Sequence, residues 1–232
     1  MARTAVAKRA NGRPSAGRRP AAPPKTLAQV AYEKIKERLV SGQYLPGQFL
    51  QETFICDDLD LGRTPVHQGL HRLQQEGILD IIPRKGILVR VESISEILTA
   101  LEVRGLLEPF ATMQCAERAT PDEFKELAEI HTEYKRRLKT GDRVKLAEVD
   151  RQFHSRIAQI GGNNLIVEFL RPIHERMSRL WFLPHWQSLD YDLTGSEHEA
   201  ILNAIERKTT AAASKAAQQH IDSLRRRILP SS

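Results

Sequence analysis

The run Leu61-Gly62-Arg63-Thr64-Pro65-Val66-His67-Gln68-Gly69-Leu70-His71-Arg72-Leu73-Gln74-Gln75-Glu76-Gly77 reads as a tight turn feeding one helix. Pro65 falls in the first turn, where a missing N–H does no harm. Val66, Leu70 and Leu73 follow at i, i+4 and i+7 and make one apolar face. The opposite face carries Arg63, Thr64, His67, Gln68, His71, Arg72 and Gln75, nearly all donors, with no acid before Glu76. Gly77 stops the helix. Gly69 is out of place by propensity, at about 1 kcal/mol worse than Ala in a helix interior. A solvated face usually mixes both charge signs. This one is either simply polar or turned toward a nucleic-acid groove.

The residues after Gly77 favour the groove. Ile78-Leu79-Asp80-Ile81-Ile82 and Ile87-Leu88-Val89-Arg90-Val91 are two short β-branched-rich runs. Between them Pro83-Arg84-Lys85-Gly86 makes a turn with two cations at its tip. A helix followed by a hairpin with a basic tip is a winged helix-turn-helix arrangement. The helix lies in the major groove of DNA, and the wing touches backbone or minor groove. Arg63, Thr64, His67, Gln68, His71 and Arg72, with Arg84, Lys85 and Gly86 of the wing, are the expected DNA contacts. Upstream, Thr26 can cap a helix to about Ser41, with Leu27, Val30, Ala31, Ile35, Leu39 and Val40 as its buried stripe. A second helix spans about residues 51–59. Asp57, Asp58 and Asp60 are acidic for a helix near phosphates, so they should face away from DNA or cap the next helix.

Composition limits the alternatives. With 41% hydrophobic and 28% charged residues, the chain is expected to be a soluble globular protein. No apolar run approaches the roughly 18 residues of a membrane span. Cys56 and Cys115 lack metal-knuckle or redox spacing and suit buried thiols in a reducing cytoplasm. The net charge of +6 is uneven: residues 1–25 hold seven cations and no acid, which leaves 28 cations against 29 acids in residues 26–232. The folded body is therefore nearly neutral, and the DNA reading rests on the helix and wing alone. Residues 1–25 cannot bury a core and are expected to form an unstructured basic tail, without the apolar stretch of a secretory signal. Gly12-Arg13-Pro14 and Gly17-Arg18-Arg19-Pro20 either form minor-groove arms or are simply solvated.

Beyond residues 26–92, the expected DNA-binding domain, the pattern is helical throughout 93–228. Ser93-Ile94-Ser95-Glu96 is a capping box opening a helix to about Ala119, with Ile94, Ile97, Leu98, Leu101, Leu106 and Phe110 at apolar positions. Thr120-Pro121-Asp122-Glu123 opens the next, to about residue 140. Four more cover about 142–160, 164–183, 194–207 and 209–228. The fold expected is mainly α: a winged helix-turn-helix domain followed by an all-helical antiparallel bundle.

Within the bundle, Asp150 and His154 stand at i, i+4 on one helix face. If the last two helices form a hairpin turning near Thr209, His198 lies 11 residues before the turn and His220 11 after it. Equal distances put the two at one height on facing helices. One carboxylate and three imidazoles suit a borderline divalent metal; three unrelated histidines remain the alternative. Arg171 and His174 can line the same space or sit on a polar surface. Trp181 and Trp186 read as core or interface, and His131 and His185 as ordinary surface residues.

Several of these motifs coincide with a known family. Ser41-Gly42 through Pro46-Gly47, Arg63-Thr64-Pro65-Val66, Leu70-x-x-Leu73-x-x-Glu76-Gly77 and Pro83-Arg84-x-Gly86 resemble the DNA-binding domain of the GntR family of bacterial transcription regulators. The usual family string after Thr-Pro-Val is Arg-Glu-Ala-Leu, whereas this chain has His67-Gln68-Gly69-Leu70. His67 can donate but offers no bidentate fork, so a changed operator preference is implied. Asp150-x-x-Phe153-His154, Gly162-Asn163, Glu197-His198-x-x-Ile201 and Ala217-x-x-His220 resemble the FCD effector domain of the FadR subfamily. The resemblance implies that Asp150, His154, His198 and His220 are ligands of a divalent metal, zinc first, with nickel or manganese possible. It implies that Arg104 meets the carboxylate of a small effector. It also implies a cytoplasmic homodimer, a repressor that binds operator DNA and no membrane. A metal-dependent hydrolase or lyase and a metal-sensing regulator are the competing expectations; no nucleophile motif supports the enzyme.

Overall fold

Thr26 opens α1 (Leu27–Val40) by accepting the Gln29 N–H. The chain continues through β1 (Phe49–Leu50), α2 (Glu52–Leu59), α3 (Arg63–Gln75), β2 (Leu79–Ile82) and β3 (Gly86–Val89). This computed structural model describes residues 25–183, Trp186 and residues 189–228. The basic segment 1–24 and His185 lie outside the described residues, and so does the tail reading made for that segment.

The three strands form an antiparallel sheet in the order β1-β3-β2, with Ile81 opposite Ile87 and Leu79 opposite Val89. β1 is too short for any alternation to reveal, and it was missed in the sequence. Ala31, Ile35 and Leu39 of α1 meet Ile55, Val66, Leu70, Leu73, Ile87 and Val89 in one core that closes without any residue past Val89. Leu27, expected in the buried stripe, is 64% exposed; Tyr32 is buried instead, and its hydroxyl donates to Glu76.

Gly69 is where propensity and packing part ways. A Cβ there would stand 2.9 Å from the Tyr32 backbone nitrogen, so α3 approaches α1 more closely than any side chain allows. Gly69→Ala, stabilising by helix propensity alone, is therefore expected to destabilise by about 1–3 kcal/mol through overpacking. Urea denaturation of the two proteins measures this, and a more stable variant would contradict it.

The bundle begins at Ser93, whose hydroxyl accepts the Glu96 N–H while the Glu96 carboxylate returns to the Ser93 N–H. It comprises α4 (Ile94–Arg118), α5 (Pro121–Thr140), α6 (Arg143–Gly161), α7 (Asn164–Arg179), a 3₁₀ turn (Leu180–Phe182), α8 (Tyr191–Glu206) and α9 (Thr210–Ile228). Thr120 and Glu123 form a second capping box around Pro121. α8 starts three residues earlier than the sequence suggests, because Asp190 caps it by accepting the Leu193 N–H. α4 packs against α6, α7, α8 and α9. Its inner face is not the apolar stripe expected: Ile94, Leu106 and Phe110 are exposed, and Arg104, Glu108 and Thr112 are buried among Leu101, Ala111 and Cys115. No helix among the described residues is long and apolar enough to cross a membrane.

Candidate metal centre and nucleic-acid interface

α6, α8 and α9 each bring one histidine to the middle of the bundle. One ring nitrogen from each of His154, His198 and His220 lies within 4.8 Å of the others, and all three rings are buried. Nε2 of His154, Nε2 of His220 and both nitrogens of His198 have no hydrogen-bond partner among the described residues. Burial without partners is expensive for polar atoms, so converging lone pairs call for something to bind. Burial pulls all three imidazoles below their usual range, His198 farthest, which keeps them in the neutral form that ligates metals.

The outward nitrogens of two of these rings are held by carboxylates. Nδ1 of His154 is 3.1 Å from Glu108 Oε2, and Nδ1 of His220 is 2.8 Å from Glu197 Oε2. A ring that donates Nδ1–H to a carboxylate presents its Nε2 lone pair, as metal-ligating histidines do. Glu197 is braced in turn by Arg227 at 3.0 Å. Glu108 also accepts from Arg104 Nε at 2.5 Å and from His174 Nε2 at 2.8 Å. Burial alone would raise the Glu108 carboxyl; Arg104, then His154 and His174, outweigh it and hold it well below the ordinary carboxylate range. The sequence reading missed both glutamates. Adjacency of Glu197 to His198, and the i, i+4 spacing of Glu108 from Arg104, were the available signals.

Asp150 stands apart from the trio, with Oδ1 3.6 Å from His198 Nε2. Burial raises its carboxyl, against the pull of His154 and Arg104. His174 joins the centre through Glu108. Arg104 reaches the centre too, already engaged by Glu108. Arg171 does not: it is exposed and lines a cleft between the two domains, so its assignment to the inner cavity is corrected. His131 is corrected as well. It is buried, 6.3 Å ring to ring from His198, because α5 packs on both α6 and α8. Trp181 and Trp186 are buried, as read.

On α3 the packing of Val66, Leu70 and Leu73 turns Arg63, Thr64, His67, Gln68 and His71 outward, and all five are exposed. Arg72 is exposed as well, but its guanidinium lies 3.7 Å from the Tyr32 ring centre and donates to Gln29 at 2.7 Å, which draws it toward α1. At the wing, Lys85 N–H donates to Ile82 O at 3.0 Å, with Pro83 and Arg84 at the turn centre. Arg84 has φ +63, a left-handed conformation that costs a non-glycine residue about 1–2 kcal/mol and thrusts its side chain out at the tip. Gly86 has φ +119, and a Cβ there would lie 2.5 Å from Leu50 O; its role is to let β1 close on the wing. The acidic cluster turns away as expected in part: Asp58 accepts from Arg38 Nε and the Tyr44 hydroxyl, and Asp60 closes α2 in the left-handed region.

The two regions are joined by α7. His174 contacts Glu108, and the next residue, Glu175, pairs with Lys36 of α1 at 2.7 Å. One turn on, Arg179 is 1% exposed, donating to Ile78 O at 3.1 Å and to the buried Glu92 carboxylate.

Residues 27–89 match the description "Bacterial regulatory proteins, gntR family", and residues 99–223 match "FCD domain". The chain is 29% identical over 189 residues to the Nta operon transcriptional regulator of Aminobacter aminovorans, covering 80% of this chain and 88% of that protein. It is 27% identical over 229 residues to the Uxu operon transcriptional regulator of Escherichia coli K12, covering 88% and 89%. A crystal structure of a GntR transcriptional regulator from Rhodococcus sp. RHA1 shares the fold, with a TM-score of 0.74 at 22% identity over 88% of this chain and 98% of that one.

Proposed function

This chain belongs to the gntR family of bacterial regulatory proteins, with an FCD domain as its second module, and from that premise we propose a metal- and effector-responsive operator-binding dimer. That it is a DNA-binding transcription regulator and not an enzyme follows from its relatives. The finer reading rests on one observation: three neutral, buried imidazoles with unpartnered nitrogens facing one point, two of them oriented by carboxylates.

His154, His198 and His220 would hold a divalent ion, with Asp150 as the carboxylate nearest to joining them. The donor set suits zinc, nickel or manganese. When bound, such an ion supplies open coordination positions to an anionic oxygen. A small organic acid arriving there would meet Arg104, whose present partner is Glu108. Competition for Arg104 would loosen the Glu108–His174 bond, and α7 would carry that change to Lys36 and Ile78 of the DNA-binding domain. Coupling of this kind is worth about 1–3 kcal/mol, a 5- to 150-fold change in operator occupancy. We assign the chain as a cytoplasmic repressor that leaves its operator when the acid binds.

A second copy is the proposed occupant of the face formed by α4 and α7. Leu106 and Phe110, then Leu165 and Phe169, repeat at i, i+4 on these two packed helices, and all four are exposed. A two-fold dimer would present two reading helices to a palindrome.

Binding to a duplex selected from a random pool tests the reading. Affinity should fall steeply with salt, and Arg63→Ala should cost about 1–3 kcal/mol. Phe169→Glu should sediment as a monomer and lose the palindromic site. Unchanged affinity for Arg63→Ala, or a persistent dimer for Phe169→Glu, would overturn the corresponding assignment.

A further inference from the structure

Independently of the buried trio, we propose that His67 and His71 form a second, solvent-exposed site for a divalent transition-metal ion, on the reading face of α3. The two residues stand at i, i+4, so they share one face of the helix. Glu52, in the first turn of α2, places Oε2 3.3 Å from His67 Nδ1. That carboxylate accepts a hydrogen bond from Nδ1–H and so leaves the lone pair on Nε2, the arrangement found behind metal-bound histidines. The Nε2 atoms of His67 and His71 are 3.1 Å apart. An ion held at about 2.0–2.1 Å by two adjacent imidazoles needs its nitrogens about 3 Å apart, so the spacing is already set.

The ring arrangement departs from a linear hydrogen bond, although one ring can direct its N–H at the other when no ion is bound. The ring centres are 4.4 Å apart and the planes are inclined at 81°. In a head-on N–H···N bond each ring would add its own radius to the nitrogen separation, and the centres would lie farther apart than they do. The nitrogens therefore sit side by side. Both rings are exposed, so water fills the remaining coordination positions. A pair of imidazoles takes zinc, nickel or copper in preference to magnesium or calcium.

The same two nitrogens are among the hydrogen-bonding groups α3 offers to base edges. An ion on them is withdrawn from DNA, and DNA on them displaces the ion. Rising free metal thus weakens operator binding, by a route separate from the bundle.

Equilibrium dialysis of the untagged full chain against nickel tests the site. Wild-type protein should bind a tight ion and a weaker one per chain. His71→Gln, a surface change, should lose only the weaker ion, and His198→Ala only the tight one. Saturating duplex DNA should expel the weaker ion. Operator affinity of the wild type should fall about tenfold per reading helix, so about a hundredfold for a dimer that engages two, when free nickel is ten times its dissociation constant at this site, each protein being compared with its own nickel-free affinity. His71→Gln should not respond. Equal nickel binding by wild type and His71→Gln, or equal nickel sensitivity of their operator affinities, would overturn the proposal. A wild type without the tight ion would count against the buried centre alone.

Discussion

Replacing Glu108 with Leu is expected to lower the stability of the bundle by about 3–5 kcal/mol and its metal affinity about 10- to 100-fold. The carboxylate is buried, and it holds Arg104, His154 and His174 at once. Its loss leaves the Arg104 guanidinium, 4% exposed, without its counter-charge in a dry interior. It also frees His154 to rotate, so that ring no longer presents a fixed Nε2. Thermal denaturation reads the first effect and competition with a chelator the second. Glu108→Gln keeps the shape and one acceptor, and it should fall between the two. A Leu variant that melts with the wild type would show that the Arg104–Glu108 pair carries none of the stability assigned to it.

Arg179→Met should be the most damaging change outside the centre. Its two bonds tie the start of the wing, through Ile78 O, and the interdomain Glu92 to α7. Met fills similar space but leaves Glu92, 8% exposed, with only Arg176 at 3.5 Å. The expected cost is about 3 kcal/mol, the low end for breaking a buried pair, because Arg176 remains. The winged domain has its own closed core, so it should stay folded and bind DNA. What should disappear is communication: calorimetry should resolve two transitions where the wild type shows one. A single transition at the wild-type temperature would contradict this.

These two residues mark where the sequence ceased to be readable. The recognition helix was legible because Val66, Leu70 and Leu73 repeat at helical spacing and Gly77 ends the run. The wing was legible from its turn chemistry. His198 and His220 emerged because a hairpin places equal numbers of residues on either side of its turn, and His154 because it stands at i, i+4 from Asp150; the family resemblance joined them. Glu108 carried no such signal. It lies between Leu107 and Pro109 on a helix whose inner face holds charges and whose outer face shows Leu106 and Phe110. Amphipathic periodicity assigns apolar residues to the core, so a helix that buries an ion pair and exposes Leu106 and Phe110 reads backwards. Arg179 is invisible for a different reason, since its partners Ile78 and Glu92 are 101 and 87 positions away. Gly69 looked like a defect because propensity scales contain no neighbour, whereas Tyr32 backbone nitrogen decides the position. Arg72 shares a helical-wheel face with the other expected DNA contacts, and no pattern within α3 reveals that its guanidinium packs on a tyrosine ring of α1.

The central claim is that His154, His198 and His220 hold one divalent ion inside the bundle. Elemental analysis of exhaustively dialysed protein tests it most directly, with the wild type, His71→Gln and His198→Ala compared side by side. The account predicts about one tightly held ion per chain in the first two and almost none in the third. Equal metal content in folded wild type and folded His198→Ala would contradict it.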